Sequence, residues 1–170
     1  EVEAARKIYR GVVNPSTGKQ IFPGPEPGSE NQWVAFVPGG FPIGVNYWRD
    51  IIVGDPDWDP STLDFDADVE RAIALDKAEM AAMDPDISAF VARGGKLLLL
   101  HGWTDGLISP QNSIDYYDEV RAALGADRAR DSVRLFMAPG VNHCSGGEGP
   151  SNIDALSALE DWVENGVAPE

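Results

Sequence analysis

The chain has 170 residues, 43% of them hydrophobic, which is ordinary for one globular domain. Its formal net charge is −15 and its sequence pI is near 4.3, so its surface repels phosphate backbones and anionic lipids, and neither nucleic acid nor a membrane is expected as a partner. No run approaches the roughly 18 apolar residues of a membrane-spanning helix.

The chain opens on Glu1 rather than Met and shows no signal peptide, which fits a trimmed or processed piece of a longer polypeptide. Residues 11–62 are rich in Gly, Pro and Trp and poor in periodicity, as in NPSTGKQIFPGPEPGSENQW, VPGGFPIGVNYWRD and DPDWDPST. They predict loops and short turns with a few anchoring aromatics. The stretch is too long for one connection and suits a cap draped over another layer.

From about residue 67 the chain becomes regular. DADVERAIALDKAEMAAM (66–83) predicts an amphipathic helix with Val69, Ile73, Ala74 and Met80 as its apolar residues. DPDISAFVARGG predicts a short helical turn ending at Gly94-Gly95. KLLLLHG (96–102) is a continuous apolar run bounded by glycines and predicts a buried strand. SPQNSIDYYDEVRAALG predicts a helix with Ile114, Tyr117, Val120 and Leu124 on one face and Gly125 as its stop. SVRLFMAPG predicts a second strand. PSNIDALSALEDWVENG predicts a closing helix capped by Ser151 or Asn152 and stopped by Gly166. Helix, strand, helix, strand, helix is βαβ order and predicts parallel strands covered by helices. Two such strands need neighbours, so the chain reads as the last third of a larger α/β domain.

In open α/β sheets functional groups lie just past the carboxyl ends of strands. Two polar groups fall there: Asp105 in HGWTDGLISP and His143 in APGVNHCSGG. An acid followed by a histidine after successive late strands fits the second half of an α/β-hydrolase triad. The acid would hold the histidine's Nδ1 proton, and the histidine would shuttle the proton of a serine. Separately, each has a blander reading. An Asp after a strand often closes an Asx turn, and a loop histidine is often only a satisfied surface group. His101, at the end of the strand, reads as structural, with its ring bonded to a nearby backbone group.

The nucleophile does not follow the same pattern. No Gly-x-Ser-x-Gly occurs in these residues; Ser145 lies beside His143 without a preceding strand, and Ser29 sits in a Pro-rich loop. Acyl transfer by this chain alone is not expected. Cys144 is the only cysteine, leaving an inert buried thiol, a free thiol or a bond to another chain as alternatives. DPDWDPSTLDFD (55–66) starts like a calcium loop, but Pro60 stands where glycine is needed and Asp66 where glutamate is usual. A solvated turn anchored by Trp58 is expected there.

Two stretches, DISAFVARGGKLLLLHGWTDGLISPQNSIDYYDEV and APGVNHCSGGEGPSNIDALSALEDWVENGVAP, resemble the C-terminal part of the tannase and feruloyl esterase family. IYRGVVNPSTGKQIFPGPEPGSENQW resembles the end of that family's lid. The resemblance covers nearly the whole chain and implies residues 1–62 as the loop-rich end of the lid region. Residues 63–170 would be the C-terminal part of an α/β-hydrolase domain. It further implies hydrolysis of carboxylic esters of aromatic acids such as ferulate or gallate, with Asp105 as triad acid and His143 as triad base. In that family the serine lies in a Gly-Cys-Ser-x-Gly-Gly segment, whose cysteine bridges to the cysteine after the histidine. By that match Cys144 is linked to a partner segment or chain carrying the serine, in an oxidising, secreted or periplasmic setting. The family's lid often holds a structural calcium, expected upstream of these residues, so no cofactor is expected here. Trp33, Phe36, Phe41, Tyr47 and Trp48 become candidate walls for an aromatic acyl group, with core packing as the alternative. A non-catalytic binding or interaction subunit on a hydrolase scaffold is the rival reading.

Overall fold

In a computed structural model of the chain, residues 1–36, 41–76 and 80–170 are described. The N-terminal third holds more helix than its composition predicts. Helix α1 (Val2–Arg10) carries Glu3 in its first turn and Lys7 and Arg10 in its last, charges that complement the helix dipole. A small antiparallel hairpin follows, β1 (Val12–Val13) with β2 (Gln20–Phe22). A 3-10 helix covers Glu30–Phe36. Helix α2 (Pro42–Tyr47) runs directly into a π turn at Trp48–Val53, and a last 3-10 turn covers Pro60–Thr62. The loop expectation for residues 37–40 lies outside the described residues.

Helix α3 spans Ala67–Asp76, shorter than the expected 66–83. Lys77, Ala78 and Glu79 lie outside the described residues. Ile73 and Met80 are exposed, at 69% and 71%, and Met80 is not helical. The half-buried side of the helix is instead Val69 and Ala72.

The short α4 (Ser88–Ala92) leads into strand β3 (Leu97–Gly102), and β4 (Val133–Ala138) lies parallel to it. Their register runs without a break from Leu97 opposite Val133 to Gly102 opposite Ala138. The crossover is α5 (Pro110–Leu124) and then α6 (Ala126–Ser132), a helix the sequence reading had left unassigned. Proline at the first turn of α5 suits a position whose N–H needs no helical partner. The face expected from its spacing is the one that packs. Val120 and Leu124 form a buried core with Ala129 and Val133, against which Ile87, Val91, Leu97, Tyr116 and Tyr117 pack.

The closing helix α7 spans Ala155–Asn165 and ends at Gly166, whose φ of 75° is the left-handed turn that glycine adopts freely. Its cap is Asp154, whose side chain accepts the Ser157 N–H at 3.1 Å, not Ser151 or Asn152. Ser151 and Asn152 precede the helix by a further turn of chain. Trp162 is the buried residue of α7, with Lys96 and Arg134 over its ring at 5.3 and 5.1 Å. No helix among the described residues is long and apolar enough to cross a membrane.

Candidate functional site

The parallel register brings the carboxyl ends of β3 and β4 side by side, so the loops leaving them meet. The acid loop turns sharply after Gly102. A Cβ there would lie 2.1 Å from the Val141 carbonyl oxygen, so only glycine lets the two loops approach this closely. The loops are then laced by backbone bonds. Trp103 N–H donates to the Ala138 carbonyl at 2.9 Å, and Thr104 N–H donates to the Val141 carbonyl at 3.1 Å. The Thr104 hydroxyl donates to Asn142 Oδ1 at 3.1 Å.

APGVNHCSGG folds as a miniature hairpin. Val141 bridges Gly147, Asn142 N–H donates to the Gly146 carbonyl, and Cys144 at the tip takes a φ of 61°. His143 is thereby presented over the acid loop. Its Nδ1 stands 2.8 Å from Asp105 Oδ2. Among the described residues its Nε2 carries no hydrogen bond, and His143 lines a cleft.

Asp105 is 3% exposed. Its Oδ1 accepts the backbone N–H groups of Leu107 and Ile108, at 2.8 and 2.9 Å. The bland and functional readings of this residue are therefore compatible: one oxygen closes an Asx turn and the other holds a histidine. A buried carboxylate so bonded is satisfied without water. His101 bonds a backbone group as expected, its Nε2 lying 3.2 Å from the Ile108 carbonyl. It also reaches Asp105 Oδ2 at 3.2 Å and Ser113 Oγ on α5 at 2.7 Å, two contacts that its strand-end position did not disclose.

The cleft over this pair has a volume of about 360 Å³, with apolar walls from Leu100, Ile108, Val141 and Ile153 and with Cys144 at its rim. Cys144 is exposed, which removes the inert buried reading. Ser29 is fully buried and occupied, donating to the Glu26 carbonyl and accepting from Trp33 Nε1. Ser145 lies exposed within the hairpin.

None of the five candidate aromatics lines this cleft. Trp33 meets Tyr9 edge-on at 4.9 Å, Phe36 meets Phe41 at 5.8 Å, and Trp48 stacks on Trp58 at 6.4 Å. Trp58 thus anchors its turn as expected. Carboxylates of that turn are taken up by protein donors, Asp55 and Asp59 within the loop and Asp66 across to residues 14 and 16. Asp55 accepts from Asp57 N–H, Asp59 from Ser61 N–H, and Asp66 from Asn14 and Ser16. Among the described residues no three His, Cys, Asp or Glu side chains gather as metal ligands would.

Sequence reasoning missed Gln32. Its Nε2 donates to the Thr104 carbonyl at 2.5 Å, and its Oε1 accepts the His143 N–H at 3.4 Å. A polar residue in an irregular turn carries no local signal of partners so distant in sequence.

A parallel strand pair, a helical crossover, and an acid and a histidine on adjacent carboxyl-end loops define the late portion of an α/β-hydrolase. A model of the family described as tannase and feruloyl esterase matches residues 1–170, and the chain belongs to that family. It is 34% identical to an uncharacterized esterase of Xanthomonas campestris, aligned over 100% of this chain and 38% of that protein. It is also 34% identical to a probable feruloyl esterase B-2 of Aspergillus fumigatus, over 98% of this chain and 36% of that protein. The crystal structure of feruloyl esterase B from Aspergillus oryzae superposes with a TM-score of 0.88 at 28% identity, covering 99% of this chain and 37% of that one. The chain therefore spans little more than a third of the length of these relatives.

Proposed function

We propose that these residues supply the acid and base of a carboxylic ester hydrolase, Asp105 and His143, to a serine that lies outside this chain. The observation that carries the proposal is the 2.8 Å contact from His143 Nδ1 to a buried carboxylate whose other oxygen is held by two backbone N–H groups. A ring proton on Nδ1 suits that contact, and Nε2 then keeps the lone pair that acts on the serine.

The chemistry follows from that tautomer. Nε2 takes the serine proton as Oγ attacks the ester carbonyl, and Asp105 stabilises the imidazolium so formed. His143 then protonates the leaving alcohol, and an acyl-enzyme results. Water, deprotonated by the same Nε2, releases the acid. The names of the relatives favour feruloyl-type aromatic esters as substrates, and the family's description as tannase adds galloyl-type esters. Residues 1–62 serve as the end of a lid and residues 63–170 as the C-terminal part of the hydrolase domain.

Cys144 adjoins His143 and is exposed, which suits a disulfide to the cysteine before the serine. Such a bond would clamp the histidine loop to the nucleophile and implies a secreted or periplasmic protein. No cofactor from this chain enters the scheme, and a structural calcium belongs to the lid upstream.

The test is active-site labelling of the intact natural protein with a serine-directed phosphonate, followed by peptide mapping without reductant. The expected result is one labelled serine in a peptide disulfide-linked to the peptide containing Cys144. No labelled serine, or a free Cys144 thiol in active protein, would overturn the corresponding half of the proposal.

A further inference from the structure

We infer that His101 is a positioning residue for the Asp105–His143 pair, donating through Nε2–H to the same carboxylate oxygen that receives His143 Nδ1. This rests on the triad reading above.

His101 is the penultimate residue of β3, and its side chain is only 11% exposed. Its Nε2 faces two oxygens, Asp105 Oδ2 and the Ile108 carbonyl, each at 3.2 Å. Neither an ionised carboxylate nor a carbonyl can donate, so Nε2 carries the hydrogen. The other nitrogen lies 2.7 Å from Ser113 Oγ, whose hydroxyl donates to it when the ring is neutral. One ring therefore ties the acid to the end of a strand and to the first turns of α5.

The carboxylate then accepts four hydrogen bonds: Leu107 and Ile108 N–H on Oδ1, His143 and His101 on Oδ2. That fills the roughly four lone-pair sites of a carboxylate. The backbone bonds alone leave Oδ2 free to swing with the His143 loop. The His101 donor on β3 holds the same Oδ2 independently of that loop, so His143 meets a stationary partner. Without it the carboxylate keeps its Asx turn but loses the aim of the oxygen that orients the base.

The experiment is done in the intact enzyme with methyl ferulate. His101→Leu removes the donor, whereas His101→Gln keeps an amide N–H close to the position of Nε2. His101→Leu is expected to lower kcat on the order of 10- to 100-fold, the effect of a misaimed catalytic group, with KM nearly unchanged. His101→Gln should restore most of kcat. The downfield proton resonance of His143 Nδ1–H should move in the Leu variant and return in the Gln variant.

Ser113→Ala, which unfastens the far side of the ring, should lower kcat by a smaller factor. It decides the matter if His101→Leu does not fold. An unchanged kcat and an unmoved resonance, with Asp105→Asn inactive, would overturn the inference. Activity remaining in Asp105→Asn and His143→Ala would instead overturn the triad reading beneath it.

Discussion

The side-chain amide of Gln32 donates to the carbonyl of Thr104 at 2.5 Å, while its oxygen accepts the backbone N–H of His143 at 3.4 Å. One side chain from the N-terminal region thus spans the loop of the acid and the loop of the histidine. Close by, Ser109 Oγ donates to the Gly24 carbonyl at 2.6 Å, a second tie between the same regions. The N-terminal segment is thus tied to both loops.

Gln32→Ala in the intact enzyme is accordingly expected to lower kcat about tenfold or more with little change in KM, since relative placement of acid and base is what it alters. Steady-state kinetics on an aromatic methyl ester would check this. A kcat equal to that of the parent would show that the backbone bonds between the loops suffice.

Gly102→Ala tests the close approach of the loops themselves. The added methyl would meet the Val141 carbonyl oxygen at 2.1 Å, with Asn142 O at 2.8 Å behind it. Neither atom is the end of a flexible side chain, so the loops must separate. We expect destabilisation of about 3 kcal/mol or more, beyond the usual cost of one extra methyl in a packed interior. Denaturant unfolding of the parent and variant measures it, and a difference below about 1 kcal/mol would contradict so tight a crossing.

Several of these features were legible in the sequence and others were not, for physical reasons. KLLLLHG and SVRLFMAPG were legible as strands because parallel-sheet strands are continuous apolar runs, although β3 is only half-buried here and Leu100 is 40% exposed. The core face of α5 showed because Val120 and Leu124 recur at helical spacing. That Asp105 and His143 meet was legible because the carboxyl ends of adjacent strands bring their loops together in this class of fold.

The N-terminal turns escaped because a 3-10 or π turn of six or seven residues is too short for any periodicity to emerge. Helix α1 is different: Glu3 early, Lys7 and Arg10 late and Gly11 as a stop are readable signals. The cap of α7 was misplaced because Ser151, Asn152 and Asp154 are all good caps, and only the geometry selects Asp154. Gln32 and the carboxylate contact of His101 depend on tertiary placement that no local pattern encodes.

The Tyr9 hydroxyl donates to Glu30, joining α1 to the 3-10 helix that carries Gln32. The hydrogen bond to Glu30, with lesser contributions from burial and the carboxylate charge, pushes the Tyr9 phenol from 10.0 up to about 12. The same bond holds Glu30 below its usual 4.5. The depressed acid contributes stability above its ordinary value and loses it as pH falls through its folded value. The raised phenol contributes below 10 and loses that contribution as pH rises toward 12. Ultraviolet titration of phenolate should therefore show one tyrosine ionising near pH 12, and Tyr9→Phe should remove that step. If Tyr9→Phe leaves the alkaline titration unchanged, the bond does not hold in solution.

The central claim is that His143 is a base whose free nitrogen acts on a serine contributed from outside these residues. It is tested most directly by kcat/KM of the intact protein on methyl ferulate for the parent and His143→Ala. We predict a loss on the order of 10³-fold or more, the scale set by removing the histidine of a serine triad. A His143→Ala protein that is folded and hydrolyses the ester within a few-fold of the parent would contradict the account.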